Sequence, residues 1–157
     1  MTALKNFKFL VFLLSTLVVF TNCKKECKLK APSKEEGQIL AYAQAEGFDV
    51  VKHPSGLYYQ IVDPGTGTQP TSASNITITY VGKFLNNQKF DEGTTPNTPA
   101  WPLSGLIEGW KIGIPLIKAG GRIRLIVPSS QGYGCEDYYT IPGNSVLFFD
   151  ITLVGVN

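Results

Sequence analysis

Histidines, cysteines and glycine-rich loops are the first places to look for chemistry, and here each leads away from it. His53 is the only histidine. Cys23-x-x-x-Cys27 has a spacing that a metal could use, but no second cysteine pair exists, so no structural zinc and no cofactor is expected. Gly65-Thr66-Gly67 lacks the Gly-x-Gly-x-x-Gly spacing and opens no helix, so it is not a nucleotide loop. What remains is the stretch 103–117. Ile107, Trp110 and Ile114 fall at i, i+3 and i+7, one face of a short helix. Taken alone, Trp110 reads as a core tryptophan.

A helix of two or three turns does not hold itself together in water, so a sheet must pack on its Ile/Trp face. Pro115 lacks an N–H and should end the helix near Ile114. The surrounding sequence supplies the sheet. Leu57, Tyr59 and Ile61 alternate with Tyr58, Gln60 and Val62 until the Asp63-Pro64-Gly65 turn. Residues 75–84 form a clearer strand, with Ile76, Ile78 and Tyr80 on one side and Thr77 and Thr79 on the other. Asn86-Asn87 turns the chain into Gln88-Lys89-Phe90-Asp91. A short strand over 100–103, a strand over 122–127 and a last strand over 145–156 complete the set. Between the last two lies a loop, 128–144, carrying Tyr133, Tyr138 and Tyr139; loops of that length in a compact domain are often functional. The fold class is α+β: a curved antiparallel sheet around one short helix.

Ahead of this domain, Ser33-Lys34-Glu35-Glu36 fits a capping box, with Ser33 as N-cap. Ile39, Leu40, Tyr42, Ala43 and Phe48 continue with helical spacing and Gly47 is a stop. This helix reads as an appendage that packs on the domain or mediates dimerisation. Further upstream, Lys5 and Lys8 precede an apolar run over 9–20, broken only by Ser15 and Thr16. The run is short for a membrane span and has the form of a secretory signal. It ends at Phe20-Thr21-Asn22-Cys23, a loose match to a bacterial lipoprotein site, so lipidation at Cys23 is expected. An uncleaved signal anchor and an ordinary secretory signal cut nearby are the alternatives. The resulting division is 1–22 signal, 23–52 tether and appended helix, and 53–157 the main domain. Lipidation would leave Cys27 and Cys135 as the remaining thiols in a compartment where disulfides form; their pairing is open, because sequence does not fix the geometry. The formal net charge is +2, and removing the two signal lysines leaves it at zero, so nothing electrostatic points to nucleic acid as a partner.

Five motifs stand in order: Thr79-Tyr80-Val81-Gly82, Lys89-Phe90-Asp91, Leu106-Ile107-x-Gly109-Trp110, Gly132-Tyr133-Gly134 and Phe148-Phe149-Asp150. With these, the chain from about Gly56 to Val156 resembles FKBP-type peptidyl-prolyl cis-trans isomerases, in particular bacterial cell-envelope members. The resemblance implies a pocket for the proline ring, floored by Trp110 and walled by Tyr80, Phe90, Ile107 and Phe149. Asp91 would be the pocket carboxylate and Tyr133 the loop tyrosine that meets a substrate carbonyl. Leu106, Trp101 and Ile141 would complete the binding surface. Departures are visible as well. Only Ser104-Gly105 stand where well-studied eukaryotic members have two further residues. Pro99 replaces an aromatic whose space Trp101 would fill. Glu136-Asp137-Tyr138-Tyr139 replaces a stretch usually rich in Gly, Pro and apolar residues, in a loop about one residue shorter.

The implied function is acceleration of Xaa-Pro rotation during the folding of exported proteins, with no proton transfer needed. The implied partners are proline-containing segments, a membrane reached through the lipid anchor, and macrolide inhibitors as candidate ligands. The expected location is the bacterial cell envelope, at the outer membrane, facing the periplasm or the cell surface. Two other readings use the same scaffold: a non-catalytic chaperone or peptide-binding module, and a surface-displayed interaction lipoprotein.

Overall fold

The computed structural model describes residues 26–157. The signal segment and Cys23 lie outside them. Seven strands form one antiparallel sheet: β1 (Val51–Lys52), β2 (Tyr58–Asp63), β3 (Asn75–Phe84), β4 (Lys89–Gly93), β5 (Trp101–Pro102), β6 (Arg122–Val127) and β7 (Leu147–Val156). Their order is β1-β2-β6-β7-β3-β4, with β5 added beside the start of β3. Register shifts interrupt β2–β6, β3–β4 and β3–β7, as bulges do where a sheet must bend.

The central helix, α2 (Glu108–Gly113), is shorter than the 103–117 stretch suggested, with 3₁₀ turns at Leu103–Gly105 and Ile114–Leu116. Pro115 falls within the second of these turns, so α-helical bonding stops where its missing N–H requires. Leu106 and Ile107 are extended and enter the helix rather than belonging to it. Trp110 and Ile114 are buried against Ile76, Ile78, Leu125, Val127, Phe149 and Ile151 in the main core.

Two glycines let α2 lie directly on β6. A Cβ at Gly113 would come within 2.6 Å of a Leu125 methyl, and one at Gly109 within 2.6 Å of a Val127 methyl. Leu125 and Val127 are fully buried and have nowhere to go. Alanine improves helix propensity by about 1 kcal/mol, yet overpacking costs typically 1–3 kcal/mol. Gly113→Ala is therefore expected to lower stability or at best leave it level, whereas propensity alone predicts a gain. Urea unfolding distinguishes the two.

The N-terminal helix is part of this fold. Helix α1 (Glu36–Ala45) covers the opposite face of the sheet, where Ile39, Tyr42 and Ala43 pack on Tyr58, Ile126, Val146 and Phe148 in a second core. This explains why 125–127 and 147–149 read as unbroken apolar runs: both faces are covered there. The expected capping box does not form. A 3₁₀ turn, Pro32–Lys34, precedes the helix, and no side chain caps its first turn. The Glu36 carboxylate instead accepts hydrogen bonds from Tyr58 (2.6 Å) and Lys52 (2.9 Å). Leu40, expected on the apolar face, is exposed. The stop is as expected: Gly47 has φ +68°, its N–H donates to the Gln44 carbonyl and the Phe48 N–H to that of Ala43, a Schellman ending.

Candidate active site

Strand β3 presents Tyr80, β4 presents Phe90 and Asp91, the entry to α2 presents Leu106, Ile107 and Trp110, and the late loop presents Tyr133. Trp110 is the centre of the group. Its indole meets the Tyr80 and Phe149 rings nearly edge-on, each with centroids 5.1 Å away. Phe149 in turn meets Phe90 at 5.7 Å and 88°. Such perpendicular contacts suit the ring quadrupoles and fix orientation as well as distance. Gly82 explains its place in the first motif: a Cβ there would lie 2.8 Å from the Phe90 ring and 3.1 Å from that of Phe149. Glycine is what allows Phe90 to fold over β3.

The aromatic set encloses two adjoining hollows. One, of about 350 Å³, is lined by Tyr80, Trp101, Gly105, Leu106, Ile107, Trp110, Tyr133 and Tyr138. The second, of about 200 Å³, is lined by Phe90, Asp91, Tyr133, Tyr138, Tyr139, Thr140 and Ile141. Tyr133 and Tyr138 belong to both, with their rings stacked 4.5 Å apart at 16°. Nine of the ten residues expected at the site line these two hollows, and the Trp101 ring lies beside that of Tyr80, with centroids 6.3 Å apart. Phe149 lines neither hollow; it is buried beneath, propping Trp110 and Phe90. Tyr138, Tyr139 and Thr140 also line the second hollow, and the sequence leaves them unassigned. The only signal for Tyr138 is that it is one of three tyrosines in a long loop, and stacking across five residues is not visible in a periodicity.

The polar groups are few. The Tyr80 hydroxyl donates to Asp91 Oδ2 at 2.6 Å, and Asp91 Oδ1 accepts the Glu92 N–H at 2.8 Å. Burial, then the hydrogen bond to Asp91, pushes the Tyr80 phenol above its ordinary range. Burial, then Tyr138 and Asp91, raises that of Tyr133. Both hydroxyls therefore stay protonated at neutral pH; the Tyr80 proton is committed to Asp91, and the Tyr133 proton is left to donate. Among the described residues, the Tyr133 hydroxyl and the Ile107 N–H donate to no protein acceptor, and the Trp110 Nε1 is buried without one. The cleft is an apolar seat with neutral donors at its rim, suited to gripping a ring and a neighbouring carbonyl.

A hollow of about 380 Å³ lies on the other face of the sheet, lined among others by Thr79, Lys83, Arg122, Phe148 and Asp150. Its carboxylate is already paired: Arg122 holds Asp150 through two bonds of 2.7 Å. Burial opposes ionisation of Asp150, but Arg122 and Arg124 outweigh it and hold the carboxyl below its usual range. The stability this gives is complete above the unfolded carboxylate pKa of about 3.9 and is lost as pH falls through the lower folded value. Asp150→Asn is expected to be less stable at pH 7 and to lose less on acidification. Urea midpoints between pH 7 and the acid limit check this.

A family model described as FKBP-type peptidyl-prolyl cis-trans isomerase matches residues 66–154, more than half of the chain. The chain belongs to this FKBP family. The FKBP match agrees with individual relatives. A probable FKBP-type peptidyl-prolyl cis-trans isomerase of Haemophilus influenzae is 35% identical over 143 residues, covering 90% of this chain and 59% of that one. The FKBP-type peptidyl-prolyl cis-trans isomerase FkpA of Escherichia coli is 37% identical over 127 residues, covering 80% and 47%. This chain therefore spans about half the length of the curated relatives it matches. The crystal structure of Escherichia coli FkpA superposes with a TM-score of 0.70 at 30% identity, covering 81% of this chain and 61% of that one. A peptidyl-prolyl cis-trans isomerase from Pseudomonas syringae superposes at 0.68 with 26% identity, covering 83% of this chain and 98% of that one. The curved antiparallel sheet wrapped on α2 is the FKBP fold.

Proposed function

We propose that this chain is a peptidyl-prolyl cis-trans isomerase acting on Xaa-Pro bonds of exported proteins, with its site in the Tyr80–Trp110–Tyr133 cleft. The observation that carries the reading is the aromatic seat over Trp110 with the Tyr133 hydroxyl and the Ile107 N–H unpaired at its edge among the described residues. Rotation about the peptide bond meets a barrier of roughly 18–20 kcal/mol because the C–N bond has partial double-bond character. No bond need break; the site must bind the twisted amide better than either planar form. The proline ring sits on Trp110 between Tyr80 and Ile107. Excluding water removes solvation that favours the polar, planar resonance form. The Tyr133 hydroxyl and the Ile107 N–H orient the peptide, Asp91 holds Tyr80 in place, and Leu106, Trp101, Phe90 and Ile141 shape the walls. Macrolide inhibitors are candidate ligands of the same cleft.

The envelope location rests on the apolar run at 9–20 and on the Cys27–Cys135 disulfide, a bond that persists in oxidising compartments. Lipidation at Cys23 would tether the protein to a membrane; Cys23→Ser would then move it to the soluble fraction.

Refolding of a protein whose slow phase is one Xaa-Pro isomerisation tests the enzymatic reading. The chain should accelerate that phase catalytically and leave a substrate variant lacking the critical proline unaffected. Equal suppression of aggregation with both substrates, with no rate effect, would make it a binding or chaperone module instead.

A further inference from the structure

Tyr133 sits on a short stretch, 129–135, that is held at both ends by one segment far away in sequence. At its start, the Ser129 N–H and hydroxyl each donate to the Glu35 carboxyl at 2.8 Å, and both residues are only 1% exposed. At its end, Cys135 is bonded to Cys27, 108 residues earlier, with Cα atoms 5.2 Å apart. Between these anchors, Leu29 lies against Gly134, 3.3 Å from where a Cβ would stand. The interior of the stretch is closed on itself, since the Ser129 carbonyl accepts the Gly132 and Gly134 N–H groups. The arm 27–35 thus grips the loop four residues before Tyr133 and two residues after it. The Tyr138 ring, stacked on Tyr133, follows within three residues of Cys135.

We propose that this arm is a positioning element of the site: Glu35 and the Cys27–Cys135 bond fix the backbone on which Tyr133 and Tyr138 stand. The inference rests on the isomerase reading for what Tyr133 does, but not for the clamp itself. A buried carboxyl that accepts two hydrogen bonds from one serine is costly to place unless geometry there matters. On the isomerase reading Tyr133 meets a carbonyl beside the rotating bond, a contact common to the planar and twisted forms, so loosening it would act on KM rather than kcat.

The experiment uses the full chain in three forms besides the parent: Glu35→Ala, Glu35→Gln, and the double variant Cys27→Ser/Cys135→Ser. Amide hydrogen exchange is read segment by segment, and KM and kcat are read on a short Xaa-Pro peptide. Glu35→Ala should speed exchange across 129–141 while β3, β6 and β7 stay protected. KM should rise about fivefold, the equivalent of roughly one hydrogen bond, with kcat within about twofold. Glu35→Gln, which keeps an acceptor, should recover most of the loss. The cysteine variant should loosen the same segment independently. Uniform faster exchange throughout, or unchanged KM with a loosened loop, would overturn the proposal by reducing the arm to a stability element. If the parent binds the peptide without turning it over, the isomerase reading fails, and the dissociation constant takes the place of KM in judging the clamp.

Discussion

Replacing Asp91 by alanine should lower kcat/KM on an Xaa-Pro peptide by about tenfold and cost about 1 kcal/mol of stability, because the bond it makes is already present in the free protein. Asp91 is exposed, so removing it opens no core cavity. What is lost is the short bond from the Tyr80 hydroxyl, the only side-chain hydrogen bond between groups of the cleft among the described residues. Hydrogen bonds to a charged acceptor contribute about 1.5–3 kcal/mol, and the lower end applies to an exposed carboxylate. Tyr80 packs edge-on to Trp110, so its freedom is felt at the floor. Tyr80→Phe should lose a similar amount, because it breaks the same bond. The double variant should be little worse than either single one, since the pair acts as a unit. A full additive loss would show that the two residues act separately.

The second large effect concerns Trp110, whose ring is core and floor at once. It is 5% exposed and in contact with Tyr80 and Phe149. Trp110→Ala should cost about 3–5 kcal/mol of stability, the usual range for removing a large buried aromatic. Its indole N–H has no partner among the described residues, so Trp110→Phe gives up ring area but no protein hydrogen bond. The phenylalanine variant should therefore fold with a loss well below that of alanine. Its KM for a proline peptide should still rise severalfold, since the seat is reshaped. Urea unfolding and peptide kinetics on both variants separate the two roles; a folded Phe variant with unaltered KM would place the proline elsewhere.

Much of this arrangement is legible in the sequence. Alternation and turn residues locate β3 at residues 75–84, and Pro115 marks the end of α2, because those signals are local. The site residues are legible only in combination, through the family resemblance; each alone reads as core or loop. What escapes is set by distant partners. Glu35 and Glu36 resemble part of a capping box, yet they are taken by Ser129 and by Tyr58 and Lys52, from 16 to 94 residues away. Phe148 and Ile126 lie on the side of the sheet away from α2, and they are buried only because α1 covers them. The Cys27–Cys135 bond and the Tyr133–Tyr138 stack likewise depend on how the late loop is folded back, which no periodicity encodes.

The most direct test of the central claim is NMR exchange between the cis and trans forms of a short Xaa-Pro peptide, with the parent chain and Asp91→Ala side by side. Accelerated exchange in the parent, reduced about tenfold in the folded variant, is the predicted result. A well-folded parent that leaves the exchange rate at its uncatalysed value would contradict the account.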